Sequence, residues 1–277
     1  MQEKEQDYAK KTFDAVAHKY DEIPFFKISA RNVVEIIGKY KGEGTLTVLD
    51  VACGTGNVVL ECASCMPRAS FDAVDIAEGM LEKARDNAKV QKLDNIHFHL
   101  QDVTKLALDK KYDVITCAYA LFFLPEADKV LQDLVLLLKP DGLVIFTSFT
   151  EKAFKVSNEI LLPLLVKHGS NSAKEYDMTK WENLKHPKDI EKLCALAEVH
   201  LVEMQSKEIR YGMSIDEWWE LMNNTGYKGM LMELSPEDYD SLKQEYFMAM
   251  FNHADMDGEV ELVADSWYVV VNITILS

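Results

Sequence analysis

Three carboxylates stand at the ends of short apolar runs: Asp50, Asp75 and Asp102. The first run, around Val48-Leu49-Asp50-Val51, is β-branched and suits a strand buried on both faces. It breaks at Gly54-Thr55-Gly56, where the chain can turn with no Cβ in the way. Asn57 to Cys65 then reads as a helix whose first N–H groups have no partner within the helix. A strand, a glycine turn and an open helix N-terminus bring bare backbone to a small ligand. Phe71 to Asp75 is a second strand-like run, and Asp75 lies about 20 residues past the glycine turn, the spacing at which an acid reaches ribose hydroxyls. Val59 replaces the third glycine of G-x-G-x-x-G, so the expected ligand is a nucleoside without a pyrophosphate.

Other elements must set these acids side by side. Asn95 to Leu100 alternates as a third strand and delivers Gln101-Asp102, while Tyr112 to Tyr119 and Leu143 to Phe149 read as the fourth and fifth. Residues 5–20 read as an amphipathic helix, followed by a helix capped by Ser29 and ended by Gly42 or Gly44. Ala77 to Val90 is helical, Pro125 opens a further helix, and Lys139-Pro-Asp-Gly142 is a turn. Such alternation predicts an α/β fold, a mainly parallel sheet with helices on both faces. Its strand ends point to one edge, where ligands bind.

Residues 152–198 read as helices, with Pro187 opening one, and Val199 to Ile209 and Trp267 to Leu276 read as strands. Between the two strands lie about 50 residues, too many for a structureless loop. Ser214-Ile-Asp-Glu217 is a capping box there, and Ser235-Pro236 starts another helix. This segment is rich in Trp, Tyr and Met, including Trp218, Trp219, Tyr227 and Met230. Aromatic and Met stripes usually build a core, but Met also adapts to irregular apolar ligands. The segment is read as a lid over the active edge, with Trp218 and Tyr227 in an acceptor pocket.

The ordered set Asp50-Val-Ala-Cys-Gly54-Thr-Gly56, Asp75-Ile-Ala-Glu-Gly-Met80, Gln101-Asp102-Val103, Tyr112-Asp113 to Ala118 and Leu138-Lys-Pro-Asp-Gly142 resembles the class I S-adenosylmethionine (SAM)-dependent methyltransferases. Within that family the resemblance is to the ubiquinone/menaquinone-type small-molecule branch. It covers roughly residues 10–150, with Ala52 where many members have glycine. It implies a Rossmann-like, seven-stranded, mostly parallel sheet whose last strand is antiparallel, with helical lid insertions. The expected divisions are 1–45, N-terminal helices and lid; 46–150, the SAM-binding core; 151–210, helices and sixth strand; 211–262, the lid insertion; and 263–277, the last strand.

The resemblance also implies site roles. Gly54 and Gly56 let the backbone approach the methionine portion, which Asp50 holds, with Ala52 in the same turn. Asp75 accepts from the ribose, Ile76 and Met80 pack on the adenine, Asp102 takes its amino group and the Val103 N–H a ring nitrogen. The Ala118 carbonyl lies near the methionine ammonium, and Tyr20, in the N-terminal lid, contacts SAM or substrate. Methyl transfer is an in-line displacement that needs alignment in a dry pocket, and Tyr119, Leu121, Phe122 and Phe123 are placed to line it. A base is needed only if the acceptor loses a proton. The candidates are His18, His168, Tyr119 and Tyr211, none singled out.

Composition narrows the classes. The 277 residues carry a net charge of −16 and are 48% hydrophobic, enough for a sizeable core. Such acidity argues against nucleic-acid or anionic-membrane partners. Asp-Pro-Pro-Tyr or Asn-Pro-Pro-Tyr, used by base-directed family members, is absent after the fourth strand. Five cysteines without a framework, and no signal peptide, suggest the cytoplasm. Cys62-Ala-Ser-Cys65 has no second ligand pair, so no metal is expected. No run approaches ~18 apolar residues, so no membrane span is expected. The leading expectation is methyl transfer from SAM, leaving S-adenosylhomocysteine (SAH), to a small apolar or aromatic acceptor. A protein methyltransferase, a non-catalytic SAM/SAH-binding module and a NAD-dependent oxidoreductase are the alternatives, and a monomer or a homodimer stays open.

Overall fold

The computed structural model describes residues 2–42, 44–176 and 180–273. The chain begins with α1 (Gln2–Val16) and α2 (Pro24–Lys41), then alternates: β1 (Thr47–Val51), α3 (Asn57–Cys65), β2 (Ser70–Asp75), α4 (Glu78–Gln91), β3 (Ile96–Leu100), β4 (Tyr112–Ala118), α5 (Ala127–Leu136) and β5 (Leu138–Phe149). After β5 come α6 (Lys155–Lys167), α7 (Asn171–Glu175), α8 (Pro187–Leu196) and β6 (Val199–Ser214). The insertion holds α9 (Ile215–Asn223), α10 (Tyr227–Leu231) and α11 (Pro236–Phe251), before β7 (Glu259–Ile273).

The strands form one seven-stranded sheet in the order β3-β2-β1-β4-β5-β7-β6. β1 pairs in parallel with β2 and β4, β2 with β3, and β4 with β5. Only β7 reverses, running antiparallel to β5 and β6. Apolar residues on both faces of the central strands feed separate cores. Leu49, Val74, Ile115 and Phe146 pack against α5 and α8, whereas Val48, Phe71, Val114 and Ile145 pack against α2, α3 and α4. A further core, around Trp218, Met222, Leu242 and Tyr246, belongs to the insertion and α6. No described helix is long and apolar enough to cross a membrane.

Several boundaries differ from the sequence expectation. Ser29 does not cap α2; Pro24 occupies its first turn, where a missing N–H costs nothing, and Ser29 is buried one turn further in. Pro125 does not open α5, which starts at Ala127 behind Glu126 in the left-handed region (φ 51°). Lys139 to Gly142 is a bulge rather than a free turn: Leu138 already pairs with Tyr112, and regular pairing resumes at Val114–Leu143. Asp141 is left-handed there (φ 63°). β6 and β7 are longer than expected, pairing out to Ser214–Glu259, so the residues inserted between them shrink to 215–258. The last part of the expected final strand, 274–276, lies outside the described residues.

Candidate functional site

The carboxyl ends of β1, β2 and β4 carry the site. After β1, Ala52 is left-handed (φ 50°), as are Gly54 (φ 56°) and Gly56 (φ 88°), so the chain reverses tightly before α3. Gly56 is N-cap of α3, and a Cβ on it would meet Leu60 and Ala84 at 3.2–3.3 Å. Its missing side chain thus serves the turn and the fit of α3 against α4, and Gly56 does not line the ligand cavity.

Asp75 closes β2. Its Oδ2 accepts the Gly54 N–H at 2.8 Å and its Oδ1 the Ala77 N–H at 2.9 Å. Burial pushes its carboxyl up from the ordinary value; the backbone N–H bonds oppose this and Asp14 adds to it. A carboxylate has about four lone-pair sites, so acceptor capacity is left beyond those two bonds. Asp102 follows β3 and caps a short 3-10 turn, its Oδ1 accepting from Thr104 N and Oγ1 at 2.8 Å each.

These residues line a cavity of ≈ 110 Å³ with Tyr20, Ala52, Gly54, Ile76, Met80, Val103 and Ala118. Apolar walls, an acid at mid-wall and a second acid with its own 3-10 turn suit an adenine and ribose. Asp50 is not on this cavity. It is 1% exposed beneath the glycine turn, taking Thr116 Oγ1 at 2.6 Å and the Val59 N–H at 3.2 Å. Burial raises its pKa to about 7 against those two bonds, with the Asp75 charge adding to the rise. Asp50 borders a ≈ 40 Å³ pocket next door, which shares the walls Tyr20, Ala52, Gly54, Ala118 and Tyr119 with the first.

A larger apolar cavity of ≈ 150 Å³ adjoins the first. The two share the walls Phe13, Tyr20, Tyr119 and Phe123. Its other lining includes Phe25, Phe122, Phe149, Phe154 and, from the insertion, Leu221, Thr225, Tyr227 and Met230. Tyr227 donates to Asn158 Oδ1 from α6. Trp218 is not part of it. Its indole is 1% exposed, donates to the Val260 carbonyl at 3.0 Å and stands edge-on behind Phe154 at 6.3 Å.

Three of the four candidate bases, His18, His168 and Tyr211, line neither cavity. His18 is exposed and lines neither. His168 packs against α11, 3.1 Å from Glu245 and 3.7 Å from Asp238. Tyr211 packs in the insertion-side core and lines neither cavity. Tyr119 is at the shared wall, left-handed (φ 53°) and stacked on Phe149 at 4.5 Å. Its hydroxyl lies between Ser29 Oγ (2.8 Å) and Ser266 Oγ (2.9 Å), and burial drives its pKa far above the ordinary value. It is therefore a neutral, fixed wall rather than a base.

The N-terminal strap was legible only in outline. Ala9, Phe13 and Tyr20 reach the cofactor-type cavity. Asp14 accepts the Gly79 N–H at 2.9 Å, and Asp21 accepts from Thr55, from Asn57 (3.4 Å) and from Asn87 (2.7 Å). No local pattern marks Asp14 or Asp21, because their partners are tens of residues away.

Curated relatives agree with this frame. The chain is 30% identical over 147 residues to a malonyl-[acyl-carrier protein] O-methyltransferase of Bacillus cereus, covering 52% of this chain and 54% of that one. It is 29% identical to a demethylmenaquinone methyltransferase of Lactococcus lactis, covering 58% and 68%. The chain spans about half the length of the first of these relatives. Among solved structures, a putative methyltransferase from Bacillus halodurans superposes with a TM-score of 0.58 at 17% identity, over 88% of this chain and all (100%) of that one. A SAM-bound magnesium protoporphyrin IX methyltransferase from Synechocystis gives 0.52 at 18%, over 73% and 89%, so both show a shared fold. The family model described as "Methyltransferase domain" matches residues 43–226, more than half the chain, and the chain belongs to that family.

Proposed function

We propose that this protein transfers the methyl group of SAM to a small, largely apolar or aromatic acceptor. The observation that carries the reading is the shared wall: a cavity with a buried acid and an apolar cavity meet at Phe13, Tyr20, Tyr119 and Phe123. When bound, SAM supplies an electrophilic methyl on a sulfonium. The chain's residues do the rest. Asp75 takes the ribose hydroxyls in charge-assisted hydrogen bonds. Ile76, Met80 and Val103 hold the adenine, with Asp102 at its edge. Asp50 holds the first turn of α3 from below, through the Val59 N–H.

The aromatic walls exclude water and align the acceptor for in-line attack. No titratable side chain at the shared wall is suited to take a proton, since burial holds both tyrosines there, Tyr20 and Tyr119, protonated. The reading therefore favours acceptors that arrive already nucleophilic. Incubation with methyl-labelled SAM and a panel of phenols and aromatic acids tests it, with Asp75→Ala as control. Label should appear in an organic-soluble product with the parent chain and be strongly reduced with the variant. Absence of SAH binding by calorimetry at millimolar ligand sinks the reading.

A further inference from the structure

Among the described residues, the apolar cavity has a single charged lining residue, Lys185. The rest of its wall is aromatic and aliphatic side chains, Gly226 and the neutral polar residues Thr150, Asn158, Asn183 and Thr225. Among the described residues no carboxylate lines it and Lys185 has no ion-pair partner. Its ammonium stands 5.7 Å from the ring centre of Tyr176, another wall residue. Burial lowers its pKa.

Lys185 is half-buried at the cavity wall. Its backbone is fixed from two neighbouring strands. Ser148 on β5 donates to the Leu184 carbonyl at 2.8 Å, and Trp267 on β7 donates to the Lys185 carbonyl at 2.9 Å. Leu184 is fully buried and left-handed (φ 51°), which sets the direction in which the next residue leaves. A partly desolvated ammonium without a counter-ion is unfavourable, and a ligand that brings the counter-charge reduces that cost. The chain as a whole carries −16 and repels anions at long range, so a local cation in a low-dielectric cavity is the feature that would select one.

We propose that the acceptor is an anionic amphipath, an apolar ring system or chain bearing one carboxylate or similar oxyanion, which pairs with Lys185 Nζ while its body lies among Phe25, Phe149, Phe154 and Tyr227. The inference rests on the methyltransferase reading and narrows its substrate class. Lys185 lines the apolar cavity and none of the cofactor-type cavity. The paired anion is thus the recognition handle, and the atom that receives the methyl is a different one, at the Tyr119–Phe123 wall. Lys185 is a specificity residue.

The test uses the full chain and two probes of one shape, 1-naphthoate and neutral 1-naphthamide, titrated by calorimetry with and without SAH. The parent chain should bind naphthoate about tenfold more tightly than naphthamide, the range of one charge-assisted pair. Lys185→Gln should erase that preference and leave naphthamide within about twofold, while Lys185→Arg keeps most of it. Lys243→Gln is the control: this ammonium also stands over rings, 5.8 Å from Trp219 and 5.2 Å from Phe247, but outside the cavity, and its loss should change neither probe. The proposal is overturned if the parent binds neither probe, shows no preference for the anion, or if Lys185→Gln lowers both alike. It is equally overturned if Lys243→Gln reproduces the effect. SAH binding, read in the same titrations, keeps the two questions apart: its absence strikes the methyltransferase reading, whereas the naphthoate comparison strikes Lys185.

Discussion

At the scale of single residues, the three strand-end acids have taken different tasks. Asp75 faces the cavity with its carboxylate braced by two N–H groups, so Asp75→Ala should weaken SAH binding at least tenfold, about 1.4 kcal/mol, by calorimetry. Unchanged affinity would remove the ribose contact from the account. Asp50 is structural, and its pKa of about 7 makes it a pH-dependent element of stability. The unfolded carboxyl titrates near 4, so the native state holds the proton more tightly. That contribution is complete below about pH 4 and is lost as pH rises toward 7. Asp50→Asn keeps an acceptor for one partner and cannot ionise. Urea melts at several pH values should therefore show a flatter dependence between pH 4 and 7 in the variant. An identical slope in both proteins would mean that Asp50 is ionised throughout.

At the scale of elements, the strap formed by α1 and the turn after it closes the site from one side, and the insertion closes it from the other. They meet where α10 passes α1: a Cβ on Gly229 would come within 2.4 Å of Tyr8 Oη and 2.5 Å of Thr12 Oγ1. Gly229→Ala should push the two lids apart. Hydrogen exchange across residues 8–22 should rise and SAH should dissociate faster, while the sheet stays protected. Asp21→Ala should act in the same direction, because it releases Thr55, Asn57 and Asn87 together. If exchange in the strap is unchanged in both variants, these contacts are packing without a role in closure. Ser29 shows how an element can mislead. Its residue type suits an N-cap, yet Pro24 starts the helix, and the Ser29 hydroxyl instead joins Tyr119 and Tyr268, each at 2.8 Å.

At the scale of the whole molecule, the acid-side stability is set by carboxylates far from the site. Burial would raise Asp72, but hydrogen bonds from His99 (2.7 Å) and Lys110 (2.9 Å), together with the Lys110 charge, hold its carboxyl below the ordinary value. Asp113 is lowered in the same way, against burial, by Lys139 and Thr47. A depressed carboxylate stabilises fully above its unfolded pKa, near 4, and that stability is lost as pH falls through the folded pKa. Asp72 and Asp113 should therefore contribute a loss of stability below about pH 4, in the opposite sense to the Asp50 effect. Asp72→Asn should soften the loss in denaturant melts, and a variant as acid-sensitive as the parent would count against the assignment.

The sequence by itself determined the parallel part of the sheet. Apolar runs with a two-residue or a helical period can bury themselves in few ways, and glycines and acids at strand ends are local signals, so β1 to β5, the glycine turn and Asp75 could be read directly from the chain. The antiparallel last strand and the family came from the resemblance of those motifs. Only the tertiary structure decided which side chains face which cavity. Asp50 sits under the turn and Trp218 behind the wall, although type and spacing place both in the site. The Lys185 backbone is held at the cavity wall by Ser148 and Trp267, from strands far along the chain. Such choices depend on contacts between residues tens to hundreds of positions apart, and a local pattern carries no trace of them.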